Sequence, residues 1–505
     1  MAQSYDLLAI DLGAESGRAI LGTFDGEKLA VSELHRFANT PVRLPDGLHW
    51  DALHLWDEIK NGLAQAIRKQ RKAPESLGID TWGVDFGLLD KHGAMLSNPY
   101  HYRDSRTDGM LDEAFRHMRR EQMFELTGIQ FMQINSLYQL LAMAVSQSPV
   151  LDVAETFLTI PDLFNFWLTG QVACEFTIAT TTQCYDPRLH AWAEPLLLAM
   201  GIPRRIFPRV IPPGTILGPL SQAVRAETGA ANLCVIAPAC HDTGSAVAAV
   251  PAQGQDFAWI SSGTWSIMGI ETREPIINAK SLASNFTNEG GVNGTFRYSK
   301  NIGGLWLVQE CRRAWAAQGE NFSYGELTEM ATQADPLVSL VDPDHLEFLQ
   351  PGNMPARIRG FCERTGQPVP ASKGAVVRCA LESVALKYRW VLEHLEEMVG
   401  HRLEPIHIIG GGTQNRLLNQ FAADATGRVV TAGPIEATAI GNLCVQAIAL
   451  GRLGSLDQAR TVVRQSFVPE VFEPTNTAAW SGDAYSRLLS LMAEPELLPD
   501  QEKSR

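Results

Sequence analysis

The stretch Leu7-Leu8-Ala9-Ile10-Asp11-Leu12-Gly13-Ala14-Glu15-Ser16-Gly17-Arg18 decides the fold. An apolar run ends at Asp11-Leu12, a small polar turn follows, and a second apolar run from Ala19 to Phe24 closes at Asp25-Gly26, which is the pattern of a β-hairpin. The same device returns at Phe257-Ala258-Trp259-Ile260-Ser261-Ser262-Gly263-Thr264-Trp265-Ser266-Ile267-Met268-Gly269. One element recurring so far along the chain predicts a duplicated domain. Glycine leaves backbone N–H groups accessible, so two such turns suit the gripping of a nucleotide's phosphate chain from both sides, although either alone is compatible with a plain hairpin. Asp11, ending the first strand, is a candidate magnesium ligand, directly or through water. Arg18 offers a phosphate partner or, equally, a surface ion pair. The chain holds neither G-x-x-x-x-G-K-[ST] nor G-x-G-x-x-G, which argues against P-loop, protein-kinase and Rossmann readings.

A chain of 505 residues with 45% apolar side chains exceeds one ordinary core and suits two domains. Its formal charge of −14 and pI near 5.4 speak against a nucleic-acid partner, and no basic run offsets them. Met1 to Asp6 show no basic-then-apolar leader, and no stretch reaches ~18 uninterrupted apolar residues, so a soluble cytoplasmic protein without membrane partners is expected. Eight cysteines without C-x-x-C or zinc-like spacing read as buried small hydrophobes. For one pair, Cys362 and Cys379, the Gly/Pro-rich connection Gly366 to Gly374 permits a disulfide; two free thiols in a reducing compartment is the other reading.

The pattern along the chain is mixed α/β. A helix is predicted over Asp51 to Lys72, then a further hairpin from Leu77 to Asp90 turning at Lys91-His92-Gly93, helical patterns over Leu111 to Leu126 and Asn135 to Val145, and a Pro-rich connection from Ile202 to Pro219. Val250-Pro251-Ala252-Gln253-Gly254-Gln255 reads as a boundary, dividing the chain into residues 1–249, residues 250–455 and a C-terminal extension, 456–505. The second half carries an amphipathic helix from Ala375 to Val399, then the strand Ile406 to Ile409, which enters Gly410-Gly411-Gly412 and the helical Leu417 to Thr426. A strand from Arg428 to Thr431 leads past Pro434 to a last helix through Leu450. Three successive glycines lose much backbone entropy on folding, and Gly411 with its neighbours predicts a contact to an adenine or ribose; an ordinary strand-to-helix turn is the plain alternative. The end, Gln501 to Arg505, is expected to fray.

Several segments now fall in the order of one known family: Asp11-Leu12-Gly13-Ala14, Ser16-Gly17-Arg18, Asp80-Thr81-Trp82-Gly83-Val84-Asp85-Phe86 and Tyr102-Arg103-Asp104-Ser105-Arg106. Pro161-Asp162-Leu163 with Leu168-Thr169-Gly170, His241-Asp242-Thr243, Ser261-Ser262-Gly263-Thr264-Trp265-Ser266, Asn288-Glu289-Gly290-Gly291, Lys300-Asn301-Ile302-Gly303-Gly304-Leu305-Trp306 and Gly410-Gly411-Gly412 continue it. On these residues the chain resembles the FGGY carbohydrate kinases of the actin-like ATPase superfamily, with two departures. Glu15 stands where a small residue is usual, and Thr413 where cysteine often follows the glycines. The resemblance implies an α/β fold of two ribonuclease-H-like domains flanking a ligand cleft, with the sugar and phosphate loop on the N-terminal side and the nucleotide on the C-terminal side. It implies ATP and Mg2+ as cofactors, a monomer or weak dimer, and phosphorylation of a ketose at its terminal hydroxyl, turning L-rhamnulose into L-rhamnulose 1-phosphate. ATP contacts are implied at Ala14, Glu15, Ser16, Gly17, Arg18, Thr264, Gln309 and Gly411, and sugar contacts at Gly83, His241, Asp242, Thr243 and Asn301, with Asp242 as the base.

Asp242 stands between a strand-like and a helix-like segment, where a carboxylate can cap a helix or orient an attacking hydroxyl and accept its proton late in phosphoryl transfer. Trp82 and Asp85 flank Gly83, and with Arg103, His241 and Asn301 they are candidates to fix sugar hydroxyls. An Asp85–Arg103 ion pair and a His241 satisfied within the fold are the plainer alternatives. Rival readings are a kinase for L-fuculose, L-ribulose, D-xylulose or glycerol, and an actin-like ATPase that uses nucleotide state to drive assembly. Closure around the sugar predicts little ATP hydrolysis in its absence.

Overall fold

The computed structural model describes residues 4–230 and 232–493, so the expected fraying at Gln501 to Arg505 lies outside the described residues. Two compact units emerge: one takes in the chain up to Gln253 together with Glu271–Ser299 and Glu436–Val468, the other Gly254–Ile270, Lys300–Ile435 and the chain from Pro469. The linear divisions after residues 249 and 455 do not coincide with these units, since two later segments pack with the first.

In the first unit the expected hairpin forms. Tyr5–Leu12 pairs antiparallel with Ser16–Phe24, setting Asp11 opposite Arg18, and Leu29–Ala38 adds to the second strand. On the other side Ser76–Thr81 runs parallel to the first strand and Cys234–Ala237 parallel to that, with Thr215–Pro219 antiparallel at the edge. Counted along the chain, the six strands of this sheet lie in the order 3-2-1-4-6-5. Leu7 to Ile10 are fully buried because helices cover both faces of the sheet. One is Ala52–Gln70, started by the Asp51 carboxylate accepting from His54 N and presenting Leu55, Ile59, Leu63 and Ala66 as its apolar stripe. The other is Ala437–Ala449, whose Gln446 donates to Leu8 O (3.0 Å) and whose Asn442 donates to Gly78 O (3.1 Å). A Cβ at Gly78 would fall 2.6 Å from Asn442 Oδ1, so that position must be glycine for the helix to seat.

The hairpin expected over Leu77 to Asp90 does not form. Ser76–Thr81 is a central strand, while Phe86–Leu89 pairs with Thr156–Thr159. Between them Val84 sits at φ 69°, a left-handed conformation that turns the chain away from the sheet. The turn at Lys91 to Gly93 is present and returns Met95 to Leu89. The pattern from Leu111 to Leu126 is two helices, Met110–His117 and Arg120–Thr127, separated by extended Met118 and Arg119.

The second unit repeats the device: Ala258–Ser262 pairs antiparallel with Trp265–Thr272 and parallel with Ile406–Ile409, which carries Val430–Ala432 in parallel and then Glu470–Phe472 antiparallel. The long helix is Lys373–Val399, capped by Ser372 and stopped by Gly400 in the left-handed region. The disulfide is not formed in this structure: all eight cysteines are free, Cys362 and Cys379 both as buried thiols.

Candidate active site

In the first unit, Arg18 reaches across the hairpin to Asp11 and also grips Glu436, so the residue expected to meet phosphate is held by two carboxylates. Burial raises the Asp11 pKa, the Arg18 charge opposes it, and nearby Asp242 and Glu436 push it further up. Asp80, on the neighbouring strand, is raised well above the usual range by burial and then by Asp11; a hydrogen bond from Asn442 (2.5 Å) opposes this, and Asp242 adds to it. Its Oδ1 is buried without a protein partner. The glycine turn beside this cluster is pinned by Asn39, which donates from its backbone to Glu15 O (3.0 Å) and from its side chain to Gly13 O (2.9 Å). Glu15 is exposed at the tip, with Ala14 and Ser16 half-buried, whereas Gly17 is demanded by packing, since a Cβ there would fall 2.3 Å from the Phe37 ring.

At Gly83 an added Cβ would lie 3.2 Å from Thr181 Oγ1 and 3.3 Å from His241 Nε2, a tight contact that those side chains would have to yield to by a few tenths of an ångström. Val84 keeps its strained φ because Thr181 Oγ1 accepts from its N (3.2 Å) and its carbonyl accepts from Ser136 and from Gln139 (3.4 Å). Asp85 is not an open acceptor for sugar. Its Oδ2 accepts from Trp50 Nε1 (2.6 Å), Trp82 Nε1 (2.9 Å) and Tyr102 N (3.2 Å), and its Oδ1 from Gln139 Nε2 (2.8 Å). Burial raises its pKa to about 6 against those bonds, and the guanidinium whose charge bears on it is Arg106. The expected Asp85–Arg103 pair is therefore replaced by a hub that locks two indoles together, with ring centroids 4.2 Å apart. Arg103 is exposed and lies over the Tyr102 ring.

Asp242 is not an N-cap: His241 occupies that place, and Asp242 is the first residue of the helix Asp242–Ala248. Its Oδ1 accepts from Thr243 N and from Thr243 Oγ1 (3.0 Å), while no described residue donates to its Oδ2. Asp242 and Glu436 each leave 31% of the side chain exposed, but Glu436 is spent on Arg18. The backbone before Asp242 is tied down on several sides. Cys240 N donates to Glu175 Oε2 (3.0 Å), His241 N to Thr177 Oγ1 (3.1 Å), and Cys240 O accepts from Thr81 N (2.9 Å). His241 Nε2 lies 3.4 Å from Asp242 Oδ1, and its Nδ1 faces Arg297 and Glu289. Burial works to raise Glu289, but Arg297 and then His241 outweigh it and bring its pKa down to about 2.

In the second unit, the turn Gly263-Thr264 is held by the segment after Asn301: Leu305 N donates to Gly263 O (3.3 Å) and Trp306 N to Thr264 O (2.9 Å). Asn301 is half-buried on the strand Phe296–Gly303, whose end is clamped by Asp344 accepting from Gly303 N (2.7 Å) and bridged to Lys387 at 2.9 Å. Beside it, burial brings Lys300 down to about 8, opposed by Asp344 and assisted by Lys387. The glycines have three separate reasons. Gly410 needs φ 87°, Gly412 would bring a Cβ within 2.0 Å of Ser262 Oγ, and only Gly411 is exposed with open space above it. Gln309, on the helix Trp306–Ala316, keeps a buried Oε1 without a protein partner.

Sequence reading missed Glu175, Thr177 and Thr181, which position the His241 backbone and Gly83, and it gave no role to Glu289 or Arg297. The run Thr180-Thr181-Thr182 and the Asn288-Glu289-Gly290-Gly291 segment were the available signals, polar residues that the fold buries.

The comparisons with known proteins cover both halves. A model of the N-terminal domain of the FGGY family of carbohydrate kinases matches residues 7–249, and a model of its C-terminal domain matches residues 258–450. A rhamnulokinase of Bacteroides thetaiotaomicron is 44% identical over 480 residues, 95% of this chain and 98% of that one. A rhamnulokinase of Oceanobacillus iheyensis is 42% identical over 460 residues, 91% of this chain and 96% of that one. Among solved structures, a gluconate kinase from Lactobacillus acidophilus superposes with a TM-score of 0.79 at 14% identity, covering 97% of this chain and 98% of that one, a likeness of fold.

Proposed function

The chain belongs to the FGGY family of carbohydrate kinases, and from that premise we propose that it transfers the γ-phosphoryl group of ATP to the C1 hydroxyl of L-rhamnulose. The two rhamnulokinases matched over nearly their whole length support the substrate. The observation that carries the chemistry is Asp242: Thr243 holds one of its oxygens, and the other has no donor from the described residues. In a loose phosphoryl transfer that free oxygen orients the attacking hydroxyl and takes its proton late. Gly83 keeps the space before His241 Nε2 clear of side-chain atoms, which lets a polyol approach the backbone there. Thr243 spends its hydroxyl on Asp242, so it aims the base. Asn301 is a further proposed sugar contact.

ATP would be met by the turn Ala14 to Gly17, by Thr264, by the exposed backbone of Gly411 and by Gln309, whose orphaned oxygen fits a donor such as an adenine amino group. Arg18 would act through Asp11 and Glu436. Among the described residues no group of three or more metal-binding side chains converges, but Mg2+ asks for only one or two carboxylates when water and phosphate oxygens complete its shell. Asp11, with Asp80 and its unpartnered oxygen alongside, fits that demand, and Mg2+ held there would offset phosphate charge. Eight free thiols suit a reducing cytoplasm, and no described helix is long and apolar enough to cross a membrane.

The test is ADP release with MgATP and L-rhamnulose, L-fuculose, L-ribulose, D-xylulose, glycerol or no sugar, compared by kcat/KM. L-Rhamnulose is expected to lead; a lead for another sugar reassigns the substrate, and release indifferent to sugar overturns the kinase reading.

A further inference from the structure

We propose that Arg297, backed by Glu289, is a positioning residue that fixes His241 as the Nε2–H tautomer and so makes it a hydrogen-bond donor to a sugar oxygen beside Asp242. The proposal deepens the reading above and rests on it for the identity of the acceptor. Its geometry comes from a hairpin whose register places Glu289 directly opposite Arg297. Arg297 is fully buried, at 0% exposure, and donates from Nε to Gly290 O (2.8 Å) and from an Nη to His241 Nδ1 (2.9 Å). A guanidinium has donors only and does not give up its proton in a protein. The ring nitrogen facing it must therefore accept, which leaves the single proton of a neutral imidazole on Nε2.

Glu289 Oε2 is also near, 3.2 Å from Nδ1, and a carboxylate in line with that nitrogen would draw the proton to it. It makes no aligned hydrogen bond, however, and lies 3.0 Å from the same Arg297 nitrogen, where its charge balances the buried guanidinium. On the opposite edge of the ring, Nε2 looks at Asp242 Oδ1 3.4 Å away and at the space a Gly83 side chain would fill. A donor fixed there complements Asp242: the histidine holds an oxygen of the substrate while the carboxylate receives the proton of the attacking hydroxyl. The Asn288-Glu289-Gly290-Gly291 segment thereby acquires a role, since Glu289 supplies the countercharge and Gly290 the carbonyl that seats Arg297.

The deciding experiment is 15N NMR of the intact protein labelled at histidine, with His241→Asn used to assign the signal. An unprotonated Nδ1 and a protonated Nε2 at neutral pH are expected; a protonated Nδ1 overturns the proposal, and it does so whatever the substrate proves to be. A second arm uses the double variant Glu289→Gln/Arg297→Met, which removes both buried charges together. Its KM for the preferred ketose should rise ~10-fold, about what one lost hydrogen bond is worth, while its KM for ATP stays unchanged. An unaltered ketose KM in the folded double variant would also sink the proposal, and if the variant does not fold the wild-type spectrum still decides.

Discussion

At the residue scale, Asp242 and Asp85 separate two carboxylates that look alike in sequence. Asp242 has an oxygen free of donors, and Asp242→Asn is expected to lower kcat by ~10²–10⁴ while the ketose KM changes little, as measured by steady-state kinetics on the folded variant. Near-normal turnover would show that another group takes the proton. Asp85 accepts four hydrogen bonds inside the fold, so Asp85→Ala leaves buried donors unpaired. A loss of about 2–3 kcal/mol in unfolding free energy is expected by denaturant titration, at the upper end of what one orphaned buried group costs. Sequence alone singled out both residues as candidates, through the neighbouring Trp82-Gly83 and His241-Thr243. It could not tell which was open, since the indole of Trp50 and the amide of Gln139 arrive from distant segments.

At the element scale, the helix Asp242–Ala248 is set by the helix Ala437–Ala449 packed against it. A Cβ at Gly441 would fall 1.7 Å from Ser245 O, so backbone meets backbone there. Gly441→Ala should displace the helix that carries Asp242, with a stability loss of about 1–3 kcal/mol and a fall in kcat larger than any change in ATP KM. Gly411→Ala provides the contrast: its Cβ meets nothing within 4 Å, so the melting temperature should hold while the ATP KM rises. Glu175, which caps the short helix Phe176–Ala179 and supports Cys240, adds a pH dependence. Burial raises its pKa from 4.5 to about 8, against hydrogen bonds from Thr177 and Cys240. The folded state thus holds a proton that the unfolded chain releases, and this contribution to stability is full below 4.5 and is lost as pH rises through about 8. Its slope approaches about 1.4 kcal/mol per pH unit between those values, and Glu175→Gln should flatten that part of the stability–pH curve.

At the scale of the whole molecule, the first unit is discontinuous in sequence. Asn442 and Gln446 fill its sheet from residues that come after most of the second unit, with Gln446 accepting from Ser76 Oγ at 2.6 Å. A fragment ending at Gln253 would expose that polar seam and the face beneath Ala437–Ala449, and is expected to lack a cooperative unfolding transition by circular dichroism. A sharp transition in the fragment would mean that the later segments only decorate a self-sufficient core. What the sequence determined by itself was local: two strand-turn-strand hairpins, the helix start at Asp51 and the glycine turns, all encoded by neighbours within a few residues. Tertiary structure alone decided that Leu77 to Asp90 divides between two sheets, that Arg18 is spent on Asp11 and Glu436, that Cys362 and Cys379 remain thiols, and that Arg297 stands behind His241. The physical reason is common to these: each depends on a buried polar group finding a partner from a remote segment, and burial and partner choice arise only when the chain has packed.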